Sequence, residues 1–222
     1  MGDVTVTIDE LAVADEPDSW GALGFAVEDG VCRVGDVPIR LAGRDAGRGI
    51  VGWTLRGAAS YELDGLPTSV ASGARGAAGF TPPRAAGGAR AHPNGIARLD
   101  HVVAITPALD RTVEALEAAG LDLRRIREQP TPAGAPRQAF FRLGATILEV
   151  VQAPDDAIER SGGPDGPAFF WGLAFVAPDL DATVAGLGDH VSEIRPAVQP
   201  GRSIATLRRS AGLGVPVALM SE

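Results

Sequence analysis

The sequence predicts an α+β fold of paired β-α-β-β-β modules, preceded by a degenerate copy of the same unit. Three observations carry this. Pro-x-Leu-Asp-x-Thr-Val occurs twice, at 107–113 and 178–184, each time after an apolar run. LGATILE at 143–149 and LGVPVAL at 213–219 close the two copies, so His101 to Glu149 spans 48 positions and Gly172 to Leu219 spans 47. IDELAVAD at 8–15 and RVGDVPIRL at 33–41 echo LDHVVAIT at 99–106 and RLGATILEV at 142–150, with a shorter gap between them. Such self-similarity marks repeated structural units.

Each element follows from its local pattern. The apolar run from Leu99 to Ile105 reads as a strand that ends at Pro107. A helix follows, with Asp110, or Asp181 in the second copy, near its start, where a carboxylate suits free N–H groups and the helix dipole. Val113, Leu116 and Leu121 keep helical spacing and Gly120 ends the helix. Strands are expected at 122–128, 137–143 and 145–152. GIVGWTLRG at 49–57 is similar to FFWGLAFVA at 169–177 and suggests a fragment of a further module. The expected organisation is an N-terminal unit over 1–64, a Gly/Ala/Pro-rich linker over 65–96 and a domain over 97–222, with modules at 97–156 and 168–222. GARGAAG at 73–79 lacks a preceding strand and a following Lys-Ser/Thr, so it reads as linker, not as a phosphate loop.

Composition removes several functions. At 222 residues, 45% hydrophobic and 22% charged, the chain can bury a core and is not of the disordered type. All 20 basic residues are arginine. Schiff-base, phosphate-loop and general-base lysines are therefore excluded. A net charge of -8 with no basic tail argues against nucleic acid as a partner. Cys32 is the only cysteine, so there is no internal disulfide. No cationic start leads into an apolar stretch, and no apolar run approaches the ~18–20 residues that span a bilayer. The expectation is a cytoplasmic protein with no membrane partner.

Few residues can carry chemistry. Glu149 lies inside Ile147-Leu148-Glu149-Val150-Val151. A carboxylate there must face water, a cavity or a partner. Metal ligation, a hydrogen bond to His101 or an arginine, and a charged pair lining a wet pocket all satisfy it. His92, in His-Pro-Asn-Gly, reads as a loop residue, and His190 as a surface turn residue. Arg124, Arg125, Arg127, Arg137 and Arg142 cluster in sequence. Charged residues commonly guard a sheet edge, but one facing a cavity would suit a carboxylate or phosphate. Phe140 and Phe141 alternate faces, so one packs under the helix and the other faces the ligand side. Phe169, Phe170 and Trp171 read as core or interface packing.

LDHVVAITPALDRTVEALEAAGLDL at 99–123 and RQAFFRLGATILEVVQ at 137–152 resemble the vicinal oxygen chelate superfamily, the glyoxalase/bleomycin-resistance/extradiol dioxygenase group. Within it the chain is most similar to glyoxalase-like proteins of unassigned activity. The resemblance covers 97–222 well and 3–57 only as an echo. It implies curved sheets of paired modules around a cavity, with a divalent metal (Fe, Mn, Ni, Zn or Mg) held by first- and last-strand side chains. His101 and Glu149 fall on those two positions and are the implied metal ligands. Gly172 and Leu219 fall on the partner positions and cannot ligate, while Glu10 and Arg40 fall there in the echo. The ligand set is therefore incomplete, and a third ligand from Glu10, His92 or a second subunit stays open. On the metal-dependent reading, a lyase, isomerase or dioxygenase, Glu149 is the catalytic base. The alternative is a metal-free binding protein of the bleomycin-resistance type. Arg125, Arg137 and Phe140 are the candidates for contact with a small-molecule ligand. The family's habit of pairing modules between subunits makes a homodimer a further expectation.

Overall fold

The computed structural model describes residues 5–70, 90–130, 134–160 and 163–222, which form two mixed sheets. The smaller comes first. β1 (Thr7–Val13) leads through a short helix, α1 (Pro17–Ala22), to β2 (Val27–Glu28), β3 (Val31–Val34) and β4 (Val37–Leu41). β5 (Ile50–Arg56) and β6 (Thr68–Val70) complete the order β2-β3-β4-β1-β5-β6. The N-terminal echo is thus a whole β-α-β-β-β module with shortened elements. Pro17 starts its helix, where a missing N–H costs nothing. β6 uses residues that the sequence pattern places in the linker. Residues 71–89 of that segment, including 73–79, lie outside the described residues.

The larger sheet holds two complete modules. The first is β7 (Arg98–Thr106), α2 (Leu109–Ala118), β8 (Asp122–Arg127), β9 (Gln138–Leu143) and β10 (Thr146–Gln152). After α3 (Asp155–Arg160), the second is β11 (Phe169–Val176), α4 (Leu180–Leu187), β12 (Arg195–Pro196), β13 (Ser203–Thr206) and β14 (Val217–Met220). The strand order β12-β13-β14-β11-β7-β10-β9-β8 bears out the paired repeat. In each module the first strand pairs in parallel with the last, and the two first strands pair antiparallel. The smaller sheet repeats the scheme: β1 pairs in parallel with β4, β5 with β6, and β1 antiparallel with β5. β5 and β6 are therefore the outer strands of a fourth module reduced to its first and last.

Helix ends refine the sequence reading. Gly120 ends α2 with φ +86°, and its N–H reaches Glu117 O while the Leu121 N–H reaches Leu116 O. Asp110 does not cap this helix. No side chain caps it: Thr106 Oγ1 accepts the N–H of Ala108 at 3.1 Å just ahead of the first turn, and Asp110, within that turn, faces Arg137. In α4 the capping carboxylate is Asp179, which accepts the Ala182 N–H at 2.9 Å.

One apolar core joins both sheets. Trp53 of β5 packs on Phe170 of β11 with ring centroids 4.9 Å apart, and Phe175 contacts both Trp20 and Phe25. Two carboxylates fasten the units. Asp15, 1% exposed, accepts the Trp20 Nε1–H at 3.1 Å and the Gly214 N–H at 2.6 Å. Asp64 accepts from Arg111 Nε at 2.8 Å and from Thr112 Oγ1 at 2.5 Å. Cys32 is buried, and burial pushes its thiol up to about 12, so it stays protonated and inert.

Candidate functional site

Alternation along the strands gives the larger sheet two faces. Val102, Ala104, Ala139, Phe141, Leu148 and Val150 are buried on the side of α2. His101, Gln138, Phe140 and Glu149 lie on the opposite, open face. Register brings them together. Ile147 on β10 pairs with His101 on β7, and Glu149 pairs with Val103 in the same ladder. Phe140 on β9 pairs with Glu149, and Arg125 on β8 pairs with Phe140.

His101 is the centre of a polar chain. Its Nε2 lies 3.5 Å from Glu149 Oε2, and its Nδ1 lies 2.8 Å from Asp100 Oδ2. The three side chains are 14–18% exposed. Asp100 also accepts from Arg202 Nη2 at 3.1 Å and faces Arg98 Nη1 at 3.4 Å. Burial alone would raise the Asp100 carboxyl, but hydrogen bonds and charge from His101 and Arg202 hold it well below the usual carboxylate range. An ionised Asp100 is acceptor-only, so His101 Nδ1 carries a proton and donates it. Nε2 is then the nitrogen turned toward Glu149.

Gln138 closes the other side. Its Nε2 donates to Glu149 Oε1, while its Oε1 is buried without a partner. The Arg125 guanidinium lies over the Phe140 ring, 4.7 Å from its centre, a cation–π distance. Arg137 is not brought to this group. Its position next to Gln138 turns it to the helix side, where it donates to both oxygens of Asp110 at 3.0 Å and to Glu128. There it ties α2 to the end of β8.

The other candidate ligands are elsewhere. Glu10 holds an ion pair with Arg40 at 2.9 Å in the smaller sheet. His92 is 7% exposed, and its Nδ1 accepts the Ala26 N–H at 2.9 Å. Burial lowers its pKa, so it is a neutral residue that docks the linker end on the N-terminal unit. His190 bonds Ser210 O and is exposed. Clefts of about 530 Å³ (lined by Pro17, Asp18 and Phe25, among others) and about 250 Å³ (lined by Arg33, Arg90 and His92, among others) belong to the N-terminal unit and the linker end, not to the His101–Glu149 group.

The donor set does not fit the metal that the sequence resemblance implies. A β-carbon at Gly172 would stand 2.8 Å from Pro216 O, so no ligating side chain has room there. Leu219 is fully buried in the core. Among the described residues no three His, Cys, Asp or Glu side chains gather as a ligand group. His101 and Glu149 supply two donors where a facial triad needs three.

No family model matches this sequence, and no curated protein does. Solved structures do. A xylose isomerase-like TIM barrel/4-hydroxyphenylpyruvate dioxygenase fusion protein matches with TM-score 0.59 and 14% identity, over 100% of this chain and 49% of that one. The fold is the vicinal oxygen chelate fold. Methylmalonyl-CoA epimerase from Mycobacterium tuberculosis matches over 57% of this chain and 89% of that one, with 18% identity and TM-score 0.46. A methylmalonyl-CoA epimerase variant from Streptomyces coelicolor matches over 57% and 98%, with 25% identity and TM-score 0.46. Among the described residues no helix is long and apolar enough to cross a membrane.

Three residues of the polar chain escape the sequence reading. Asp100 adjoins His101, yet strand alternation puts neighbours on opposite faces. Gln138 was accessible from its period-two relation to Phe140. Arg202 carries no signal, because it comes from the other module.

Proposed function

We propose that this protein binds a small organic molecule on the open face of its larger sheet, at the His101–Glu149 pair, without the divalent metal centre of the vicinal oxygen chelate enzymes. One observation supports this most. The half-site of His101 and Glu149 is kept together and partly buried, while its partner positions are closed by Gly172 against Pro216 O and by Leu219 in the core. What remains is a polar recognition group beside an aromatic surface, which is how small-molecule sites fix orientation. Glu149 and His101 are also the groups on this face able to take a proton from a bound molecule.

A second reading keeps the metal. His101 Nε2 and Glu149 Oε2 are 3.5 Å apart, and Asp100 holds the far nitrogen of His101 as carboxylates do behind metal-bound histidines. Metal analysis separates the two. The protein is purified without chelator, incubated with Fe, Mn, Ni, Zn and Mg in turn, freed of excess ion and measured by mass spectrometry. The proposal expects far less than one ion per chain for every metal. One ion per chain that is lost in His101→Ala would overturn it.

A further inference from the structure

We infer that the molecule bound on this face is an organic anion, a carboxylate or phosphate ester carrying a flat apolar body; the inference rests on the site proposed above. The observation is the placement of arginines at the sheet's outer edge. β8 pairs with β9 so that Arg125 stands opposite Phe140 and Arg127 opposite Gln138. Both therefore share the open face with Glu149 and His101. Arg142, two residues beyond Phe140 on β9, lies on the same face.

Three arginines without a carboxylate partner among the described residues thus fall on one face of one sheet edge. Acidic residues outnumber basic ones 28 to 20, and ion pairs hold Arg40, Arg56, Arg111, Arg124, Arg137 and Arg202. Among the described residues Arg125, Arg127 and Arg142 have no carboxylate partner. The nearby Asp122 is bonded by Arg124 at 3.1 Å. Guarding the edge would explain charge on β8; that the charges on the face shared with Glu149 are all of one sign is what an anion would use. A cation cluster on an acidic protein attracts anions locally.

The rest of the face fits such a ligand. Arg125 lies over Phe140, which holds its planar guanidinium in place, so a flat apolar body can stack on the pair with its anion against the guanidinium edge. The buried Gln138 Oε1 lacks a donor, which a hydroxyl or N–H on the same ligand would supply.

Isothermal titration calorimetry with 2-naphthoate and its uncharged ester methyl 2-naphthoate, neither of which carries a hydrogen-bond donor, tests this. In low salt the native protein should bind naphthoate at least tenfold more tightly than the ester. The ratio should fall to about one in the Arg125→Gln/Arg127→Gln double variant, and Phe140→Ala should weaken both probes equally. Equal binding of both probes by the native protein, or a ratio that survives the double variant, overturns the anion assignment. If either happens while Phe140→Ala and His101→Ala still weaken both probes, the site itself stands. Binding of neither probe, or binding that ignores Phe140→Ala and His101→Ala, overturns both.

Discussion

His101 Nε2 faces Glu149 Oε2 at 3.5 Å, from adjacent parallel strands of the larger sheet. Glu10 and Arg40 take the equivalent places in the smaller sheet and close on each other at 2.9 Å. The fold thus presents the same pair of positions twice, with opposite outcomes. Glu10 and Arg40 satisfy each other and lie more open to water, as an ordinary surface pair of little energetic weight. In the larger sheet an ionised Asp100 fixes the imidazole from behind, and Gln138 holds the other oxygen of Glu149. That pair is oriented by its neighbours yet left accessible, as a binding group must be.

The closed partner position predicts a stability effect. Gly172→Ala puts a β-carbon 2.8 Å from Pro216 O, a backbone atom that already accepts the Leu173 N–H at 3.0 Å. The contact cannot relax by rotating a side chain. We expect a loss of about 1–3 kcal/mol in urea unfolding. The equivalent Gly52→Ala meets Pro67 O at 3.1 Å and should cost less.

Asp100 sets a pH dependence. Its carboxyl is held below the usual range in the fold, so it contributes stability at neutral pH. That contribution is full above the unfolded carboxyl pKa of about 4 and is lost as pH falls through the lower folded value. Asp100→Asn should therefore cost roughly 1–3 kcal/mol at pH 7. The gap between variant and native protein should narrow steadily below about pH 4. Denaturant unfolding at several pH values measures both. A gap that widens in acid would contradict the assignment.

Asp15 predicts how the units hold together. It is buried and bonded to Trp20 within the N-terminal unit and to the Gly214 N–H of the last module. Asp15→Ala leaves the buried Trp20 Nε1–H without its acceptor and unties Gly214, and should cost about 1–3 kcal/mol in urea unfolding. A loss below about 1 kcal/mol would mean that water replaces the carboxylate.

The modular plan was legible because its signals are local and repeated. Pro107 and Pro178, the Leu-Asp-x-Thr-Val stretches and the apolar closing strands each fix a strand or helix within a few residues. The shortened first module also showed, through the match of Glu10 to His101. The site was legible only where it follows the strand period, which places His101, Phe140 and Glu149 on one face. Arg137 shows the limit. Its type suits a ligand contact, but adjacent strand residues point to opposite faces, and Arg137 turns to Asp110 and Glu128. Arg202 and Asp64 act across modules, where sequence distance says nothing of contact. Asp110 and Asp181 lie in the first turns as expected, but α2 has no side-chain cap because Asp110 is drawn to Arg137, and α4 is capped by the earlier Asp179.

The central claim is tested most directly by mapping fragment binding with amide nuclear magnetic resonance shifts in the presence of a chelator. A screen of small aromatic acids should produce shifts that cluster at His101, Gln138, Phe140 and Glu149. The shifts should be unchanged by Arg137→Gln and much weakened by Phe140→Ala and by His101→Ala. Shifts confined to the cleft at Phe25 or at His92, or binding that appears only when a divalent metal is added, would contradict the account.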